Sequence, residues 1–377
     1  MKRVVLIRSN PVSPDPPVEK MANTLLGYGY SVTIIGWDRD RNYKEDVKTI
    51  NFANGKAVLV LFGIEAKFGA GLKGNLKPLI IFQLRVRNWI RKNIDKIDIV
   101  HAFDFDTGFI SKISLTREKK FVYHILDYYI DSHDLSGLLG QIIRKKENRL
   151  IESADATIIC TEKRKEQING CIPKKLFVIH NTPDLEYLHK NISVKKSCDN
   201  SKIKIVYVGI LVGSRLLKEL AEFIATDDRF EFHVGGFGNL EDFFEEYSKK
   251  YKNIYYYGKL PYEKTIALES ECDIMVAIYN PAIKNNRYAA PNKFYESLMI
   301  GKPLIMANGT GFDDIINKNK IGCTIDFSKD GIQNGLEYML KHRNEWVLMS
   351  KKSKELYNEQ YSWSIMKERI KDLYFNL

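Results

Sequence analysis

At 377 residues, 44% hydrophobic and 12% aromatic, the chain falls outside the disordered and fibrous classes and is long enough to predict two domains. Its 58 Lys and Arg against 47 Asp and Glu leave a net charge of +11, which points to an anionic partner: nucleic acid, anionic lipid or nucleotide phosphate. Five scattered cysteines with no CxxC pair argue against a zinc ribbon or a disulfide framework and suit a reducing compartment.

The opening "MKRVVLIRSNPVSPDPP" has a short apolar run before Arg8, too short for a secretion signal, and reads as a first strand. "PPVEKMANTLLGYG" is an amphipathic helix ending on Gly27 or Gly29, and "YSVTIIGW" is the next strand. Between Glu65 and Asp95 there is no acid but there are seven bases: Lys67, Lys73, Lys77, Arg85, Arg87, Arg91 and Lys92. Leu79, Phe82, Val86 and Trp89 recur there at helical spacing, so the stretch reads either as a basic helix lying on an anionic membrane or as one packed on a sheet with a solvated basic rim. "IDIVHAF" is a strand whose acidic tail "DFDTG" leads into a helix from about Gly108. "KFVYHILDYY" is another strand, followed by the loop "YIDSHDLSG", the basic helix "LLGQIIRKKENRLIESA" and the strands "ATIIC" and "LFVIHNTPD". This alternation predicts a parallel sheet covered on both faces.

The polar, lysine-rich "LEYLHKNISVKKSCDNSKI" reads as a linker, and the alternation restarts beyond it. Strand "KIVYVGIL" precedes helix "RLLKELAEFIA", then "FEFHVGGFG" precedes "NLEDFFEEYSKKY", and "NIYYYGKL" precedes "YEKTIALESE". Strand "DIMVAIYN", the long loop "PAIKNNRYAAPN", helix "KFYESLMIG" and strand "KPLIMAN" follow, then one more α/β pair and two closing helices. No apolar run approaches the roughly 18 residues of a membrane span. The expected domains are residues 1–185 and 203–355, with a linker at 186–202 and a last helix at 356–377. Two such Rossmann-like sheets predict a ligand cleft at the carboxyl ends of their strands.

Three segments of the second half suit phosphate. In "GILVGSRLLKEL", Gly209 ends a strand, Gly213 and Ser214 turn the chain, and Arg215 stands at a helix N-terminus; the plainer reading is a turn capped by Ser214. "HVGGFGNLED" places Gly235, Gly236 and Gly238 where backbone could approach a ligand. In "PNKFYESLMIGKPLI", Pro291 and Asn292 begin a helix and Lys293 and Glu296 share one of its faces. That pair reads either as a surface ion pair worth about a few tenths of a kcal/mol or as a clamp for phosphate and ribose. A lysine in a first turn opposes the helix dipole unless an anion accepts it.

The ordered set "IVYVGIL…R", "FHVGGFG", "NIYYYGKLPYEKTIALESECDIMVAIYNP", "NRYAAPNKFYESLMIGKPLI" and "NGTGF", across roughly residues 203–327, resembles the donor-binding domain of the GT-B glycosyltransferases, specifically glycosyltransferase family 4. "VEKMANTLLGYGYSVTIIGWDRD", "DIVHAFDFDTG", "ESADATIICTE" and "LFVIHNTPD" extend the resemblance to nearly the whole chain. It implies an α/β GT-B fold, two Rossmann-like parallel-sheet domains facing each other across a cleft. It also implies a closing helix packed back on the first domain, and retaining transfer from a nucleotide sugar, UDP- or GDP-linked, without an obligatory metal or other cofactor. It points to Arg215 as the diphosphate contact and to Lys293 and Glu296 as holding phosphate and ribose, both cations being exposed in the cleft. Gly209, Gly236 and Asn292 complete the implied donor set. The family's second glutamate, eight positions before the first, is Tyr288 here, and the loop 286–291 is expected to stand in for it.

In the first half the resemblance points to Asp127, at the carboxyl end of a strand, to orient the acceptor hydroxyl or stabilise an oxocarbenium-like state; a helix N-cap is the alternative. His124, Asp131, His133 and Asp134 are less favoured, and His101 is expected to line the acceptor side. Asp104-Phe105-Asp106 imitates the metal-binding DxD of another fold but lies in the wrong half, so no metal role is assigned. The expected partners are a nucleotide-sugar donor, a glycan or lipid-linked glycan acceptor of an envelope polysaccharide or glycoprotein pathway, and an anionic membrane surface, with no nucleic acid. The expected place is the cytoplasm, peripheral on the inner face of the membrane. A nucleotide-sugar 2-epimerase shares the architecture but needs a pair of acid/base carboxylates around the sugar. A basic nucleic-acid-binding protein explains the charge and leaves the ordered segments unexplained.

Overall fold

The computed structural model describes residues 1–67, 71–184 and 202–377; the expected linker, Lys202 apart, lies outside them. Two compact units form, Met1–Asn181 with Lys367–Leu377, and Thr182–Met366.

The first unit contains β1 (Arg3–Ile7), α1 (Pro16–Gly27), β2 (Ser31–Asp38), β3 (Tyr43–Phe52), β4 (Gly55–Gly63), α2 (Gly71–Lys92), β5 (Ile99–Phe103), α3 (Asp104–Lys112), β6 (Lys120–Ile125), α4 (Tyr129–Ser132), α5 (Gly137–Ser153), β7 (Ala156–Ile159), α6 (Arg164–Gln167) and β8 (Leu176–Val178). Its sheet runs β3-β4-β2-β1-β5-β6-β7-β8. The central strands are buried on both faces, as parallel strands between two helix layers must be. The expected parallel sheet needs one correction, because β3 pairs antiparallel with β4 at the edge. β3, "YKEDVKTINF", is solvated on both faces and shows no apolar alternation, so periodicity passes over it. Asn54-Gly55 at its turn is the hairpin signal that was available.

Strand order and the right-handed crossover rule put α2, α3 and α5 on one face of this sheet and α1 on the other. Leu79, Phe82 and Val86 of α2 are buried in the core with Leu150 and Ile151 of α5, and Phe82 stacks on Trp37 at 5.1 Å. The apolar face read as membrane-seeking is therefore the face that covers the sheet, with Trp89 partly buried against the same core. Helix α3 begins at Asp104, four residues before the expected start, so Asp104 and Asp106 occupy its first turn.

The second unit contains β9 (Ile203–Leu211), α7 (Leu217–Ala225), β10 (Phe230–Gly238), α8 (Glu241–Lys250), β11 (Ile254–Tyr256), α9 (Tyr262–Glu271), β12 (Ile274–Ala277), α10 (Asn292–Ile300), β13 (Leu304–Ala307), α11 (Asp313–Asn319), β14 (Gly322–Ile325), α12 (Lys329–Lys341) and α13 (Trp346–Leu356). Its six strands are all parallel, in the order β11-β10-β9-β12-β13-β14. Gly301, at φ 74°, ends α10 in the left-handed conformation. The last helix, α14 (Trp363–Phe375), supplies residues to both units. From Lys367 onward it belongs to the first, where Tyr28 Oη donates to the Lys367 carbonyl at 2.9 Å and Tyr30 packs edge-on against Tyr374. No described helix is long and apolar enough to cross a membrane.

Candidate active site

In the second unit two cations meet on one tyrosine at the carboxyl end of β9. Tyr207 is buried, and its hydroxyl accepts from the Arg215 guanidinium. Arg215 also donates to the Ile210 carbonyl at 3.3 Å and stacks over Tyr279 at 4.6 Å. Lys293 Nζ donates to the Val208 carbonyl and lies 4.8 Å from the centre of the Tyr207 ring. These partners are neutral, so Arg215 is positioned without being neutralised, whereas Lys293 also lies near the carboxylates of Glu296 and Glu269. Gly209 makes the arrangement possible: a Cβ there would stand 3.1 Å from Lys293 Nζ and 3.2 Å from the Tyr207 hydroxyl.

Lys293 is 7% exposed and Glu296 3%, which excludes a surface ion pair and corrects the expectation that Lys293 is an open cleft residue. Burial works against the lysine's charge, but Tyr207 and the nearby Glu296 and Glu269 outweigh it and hold its pKa above the ordinary value. Glu296 accepts a hydrogen bond from Tyr262. Glu269 on α9 is fully buried with neither oxygen paired, and burial followed by the charge of Glu296 pushes its pKa well up against the pull of Lys293. Sequence reading missed Tyr207, Tyr262 and Glu269; Tyr207, the one aromatic in the β-branched run "IKIVYVGIL", is the signal that existed.

The other expected residues divide. Arg215 closes a 3-10 turn, Gly213–Arg215, and the residue before α7 is Leu216, at φ 52°, so Ser214 does not cap the helix. Gly236, at φ 132°, would place a Cβ 1.8 Å from the Gly209 carbonyl oxygen, so its lack of a side chain is required by the packing of β10 on β9. Asn292 is exposed at the start of α10. Tyr288 is half-buried at the end of the turn Lys284–Tyr288, which Asn286 pins by donating to the Asn280 carbonyl at 2.9 Å.

In the first unit the carboxyl ends of β1, β5, β6 and β7 carry a chain of alternating charges. Arg8 ion-pairs with Asp15 at 2.7 Å and Asp104 at 3.2 Å. Asp104 Oδ1 accepts from the backbone N–H groups of Leu126 and Asp127, at 2.9 and 3.0 Å, while Oδ2 accepts from Arg8. Burial pushes the Asp104 carboxyl up to about 7 against the pull of Arg8, with Asp127 adding to the rise. Its φ of 62°, rare outside glycine, marks strain at this point. Asp127 lies two residues past the end of β6 and is 55% exposed, paired at 3.2 Å with Arg164, which is 2% exposed and also donates to Gln167 at 2.7 Å. Gln167 in turn donates to Asp131 at 2.9 Å. Arg8, Asp15 and Arg164 were not foreseen, because their roles arise from pairing across the sheet. His133 and Asp134 are exposed beyond α4.

His101 requires correction. It is fully buried inside the sheet layer, with Nδ1 2.7 Å from the Tyr374 hydroxyl and Nε2 3.1 Å from His124 Nδ1, and it stacks on Phe103 at 4.6 Å. It cannot line an acceptor site. Burial lowers its pKa to about 3 and that of His124 well below the usual value. Both stay neutral when folded and charge on unfolding, so their contribution to stability is complete above about pH 6.5 and is lost as pH falls toward the folded pKa values. Unfolding of the first unit should lose about 1 kcal/mol per histidine between pH 6.5 and 5.5. Denaturant melts of wild type and His101→Phe at both pH values check this, and an equal acid sensitivity in the two would refute it.

Two family models match the chain: Glycosyltransferase Family 4 over residues 18–187 and Glycosyl transferases group 1 over residues 189–360. No curated protein matches it. Among solved structures it is similar to sucrose-phosphate synthase from Thermosynechococcus elongatus, with 13% identity over 100% of this chain and 99% of that one and a TM-score of 0.76. A trehalose-6-phosphate protein from E. coli bound with UDP-2-fluoro glucose has 11% identity over 99% of both chains and a TM-score of 0.72. Anabaena HepE in complex with UDP has 12% identity over 100% of both and a TM-score of 0.70. At these identities the solved structures speak to the fold.

Proposed function

The chain is a glycosyltransferase of the GT-B fold, and from that premise we propose that it moves a hexosyl group, with retention, from a UDP- or GDP-linked donor to a glycan carried on a lipid. The observation that carries this reading is the pair of cations, Arg215 and Lys293, that converge on Tyr207. As the bond from sugar to diphosphate breaks, negative charge grows on the leaving group. Cations already oriented at that point stabilise it without reorganisation, and no metal need do so. UDP is the first donor nucleotide to test, because two of the similar structures hold UDP or a UDP sugar. Asp127, the most exposed acid of the first unit's charge chain, is assigned to the acceptor hydroxyl. The acceptor is placed in an envelope polysaccharide or glycoprotein glycan pathway, and the enzyme on the cytoplasmic membrane face, in keeping with its basic surplus.

Arg215→Ala should weaken binding of UDP, or of GDP if that is the better ligand, by about 1.5–3 kcal/mol, the range for one charge-assisted bond. Calorimetry reads this directly, and unchanged affinity for both nucleotides would remove the diphosphate assignment. Production of a 2-epimer from the donor sugar, without transfer, would move the protein to the epimerases.

A further inference from the structure

A groove of about 650 Å³ runs along the edge of the second unit's sheet, within the roughly 300–1,000 Å³ of small-molecule sites. Its floor is β14, and no described strand lies beyond it. Leu304 N–H donates to the Ile321 carbonyl at 3.3 Å and Asn308 N–H to the Ile325 carbonyl at 2.8 Å. Residues 321, 323 and 325 therefore turn toward β13, and the alternate residues, Gly322 and Thr324, turn backbone donors and acceptors to the open edge. Asn317 of α11 lies on one wall, Asn334 and Tyr338 of α12 on the other. Helix α12 lies this close because two glycines face the sheet: a Cβ on Gly331 would stand 2.0 Å from the Asp326 carbonyl oxygen, and one on Gly335 2.5 Å from Ile325 Cγ2. Asn308 Nδ2 donates to Asp326 Oδ1 and Asn317 Nδ2 to Thr324 Oγ1, both at 3.0 Å, so these side chains are oriented while each amide keeps a further donor and acceptor. Tyr338 is 43% exposed, and its ring is backed by His342 at 4.0 Å, whose Nδ1 donates to the Tyr338 carbonyl at 2.8 Å. In a chain with a net charge of +11, the one Lys or Arg lining this groove is Lys320, set against Asp326 and Glu345.

We propose that this edge groove is a second glycan site, which holds a short uncharged oligosaccharide outside the donor site. The proposal rests on the glycosyltransferase reading, which supplies a chain of hydroxyls as substrate or product, and names where a part of that chain remote from the reacting end is held. Adjacent hydroxyls pair with amides and carboxylates, which donate and accept in turn, and with the outward backbone groups of Gly322 and Thr324. The C–H face of a sugar ring packs on Tyr338. A phosphorylated ligand would meet more acids than bases, and an apolar one would leave the amides unpaired. A peptide strand or a second copy would find only two outward-facing residues to pair with, fewer than an ordinary strand supplies. The groove is separate from the donor cations: β14 lies three strands across from β9, about 14 Å at roughly 4.8 Å per strand. Asn308 and Asp326 follow β13 and β14, so the groove opens at the same carboxyl ends of the strands that carry Arg215.

Saturation-transfer NMR and calorimetry on the full chain test this with cellotetraose, maltotetraose, laminaritetraose and chitotetraose at millimolar concentration. At least one should bind, saturating UDP should not displace it, and its sulfated form should bind more weakly. Asn334→Ala/Tyr338→Ala removes one hydrogen-bonding amide and the stacking ring, so affinity for that tetrasaccharide should fall at least about tenfold. Both side chains are exposed, so the melting temperature and UDP affinity of the variant should match wild type. Absence of binding by all four, displacement by UDP, tighter binding of the sulfated form, or a variant that binds like wild type would each overturn the proposal. So would self-association that the double variant abolishes, which would give the edge to a second copy. UDP binding without tetrasaccharide binding defeats this inference alone, whereas tetrasaccharide binding without any nucleotide binding defeats the donor reading instead.

Discussion

Lys293→Ala should destabilise the second unit by about 3–5 kcal/mol as well as weaken donor binding. The lysine is the buried positive charge beside Glu296 and Glu269, and removing one partner of a buried charged set leaves the others uncompensated. A domain holds only about 5–15 kcal/mol in total, so the loss should appear as a large fall in melting temperature. It should also depend on pH in a defined direction. Lys293 pulls against the rise that burial and Glu296 impose on the Glu269 carboxyl, so without it that carboxyl stands still higher in the folded state; the variant is closest to wild type at low pH, and its deficit grows as pH rises. Denaturant melts at pH 4.5 and 7 separate this from loss of packing, which would be the same at both. A melting temperature equal to wild type at pH 7 would show that the buried lysine does not compensate these carboxylates.

Asp127→Asn should fold and bind UDP as wild type does, yet lose transfer by at least about 10²-fold, roughly 2.7 kcal/mol of transition-state stabilisation. Asparagine keeps an oxygen for Arg164, so the buried guanidinium is not abandoned, and the exposed position creates no cavity. What disappears is a negative charge able to take a proton from an acceptor or face a developing cation. Single-turnover transfer from a UDP-sugar, with nucleotide affinity measured alongside, distinguishes chemistry from binding. Wild-type turnover would pass the role to another group of the same charge chain, Asp131 being the next to substitute.

The donor-side residues were legible because each belongs to a local segment. A glycine turn after a strand, a basic residue beyond it, and a lysine in the first turn of a helix can be recognised one at a time, and the βα alternation then puts them all at strand carboxyl ends. Tyr207, on which Arg215 and Lys293 converge, was not legible, because its role depends on residues 8 and 86 positions away. His101 misled for the same reason. A polar residue near a strand end looks like a site residue until Tyr374, supplied by the last helix of the chain, is seen to bond it in the interior.

Helix α2 shows where local reading stops. Its sequence displays two apolar series, Leu79-Phe82-Val86 and Leu76-Ile80-Leu84, and both fit a helical period. Local periodicity, glycine and proline conformations and composition are enough for the alternation of strands and helices, the strand ends at which polar residues gather, and the basic surplus. Packing sets the rest: which apolar series covers Trp37 and Phe62 and which stays bare, the burial of Lys293 over Tyr207 while Asp127 reaches solvent, and the antiparallel return of β3 at the edge. Burial is a property of the partner that arrives from elsewhere in the chain, and nothing in a local pattern specifies that partner.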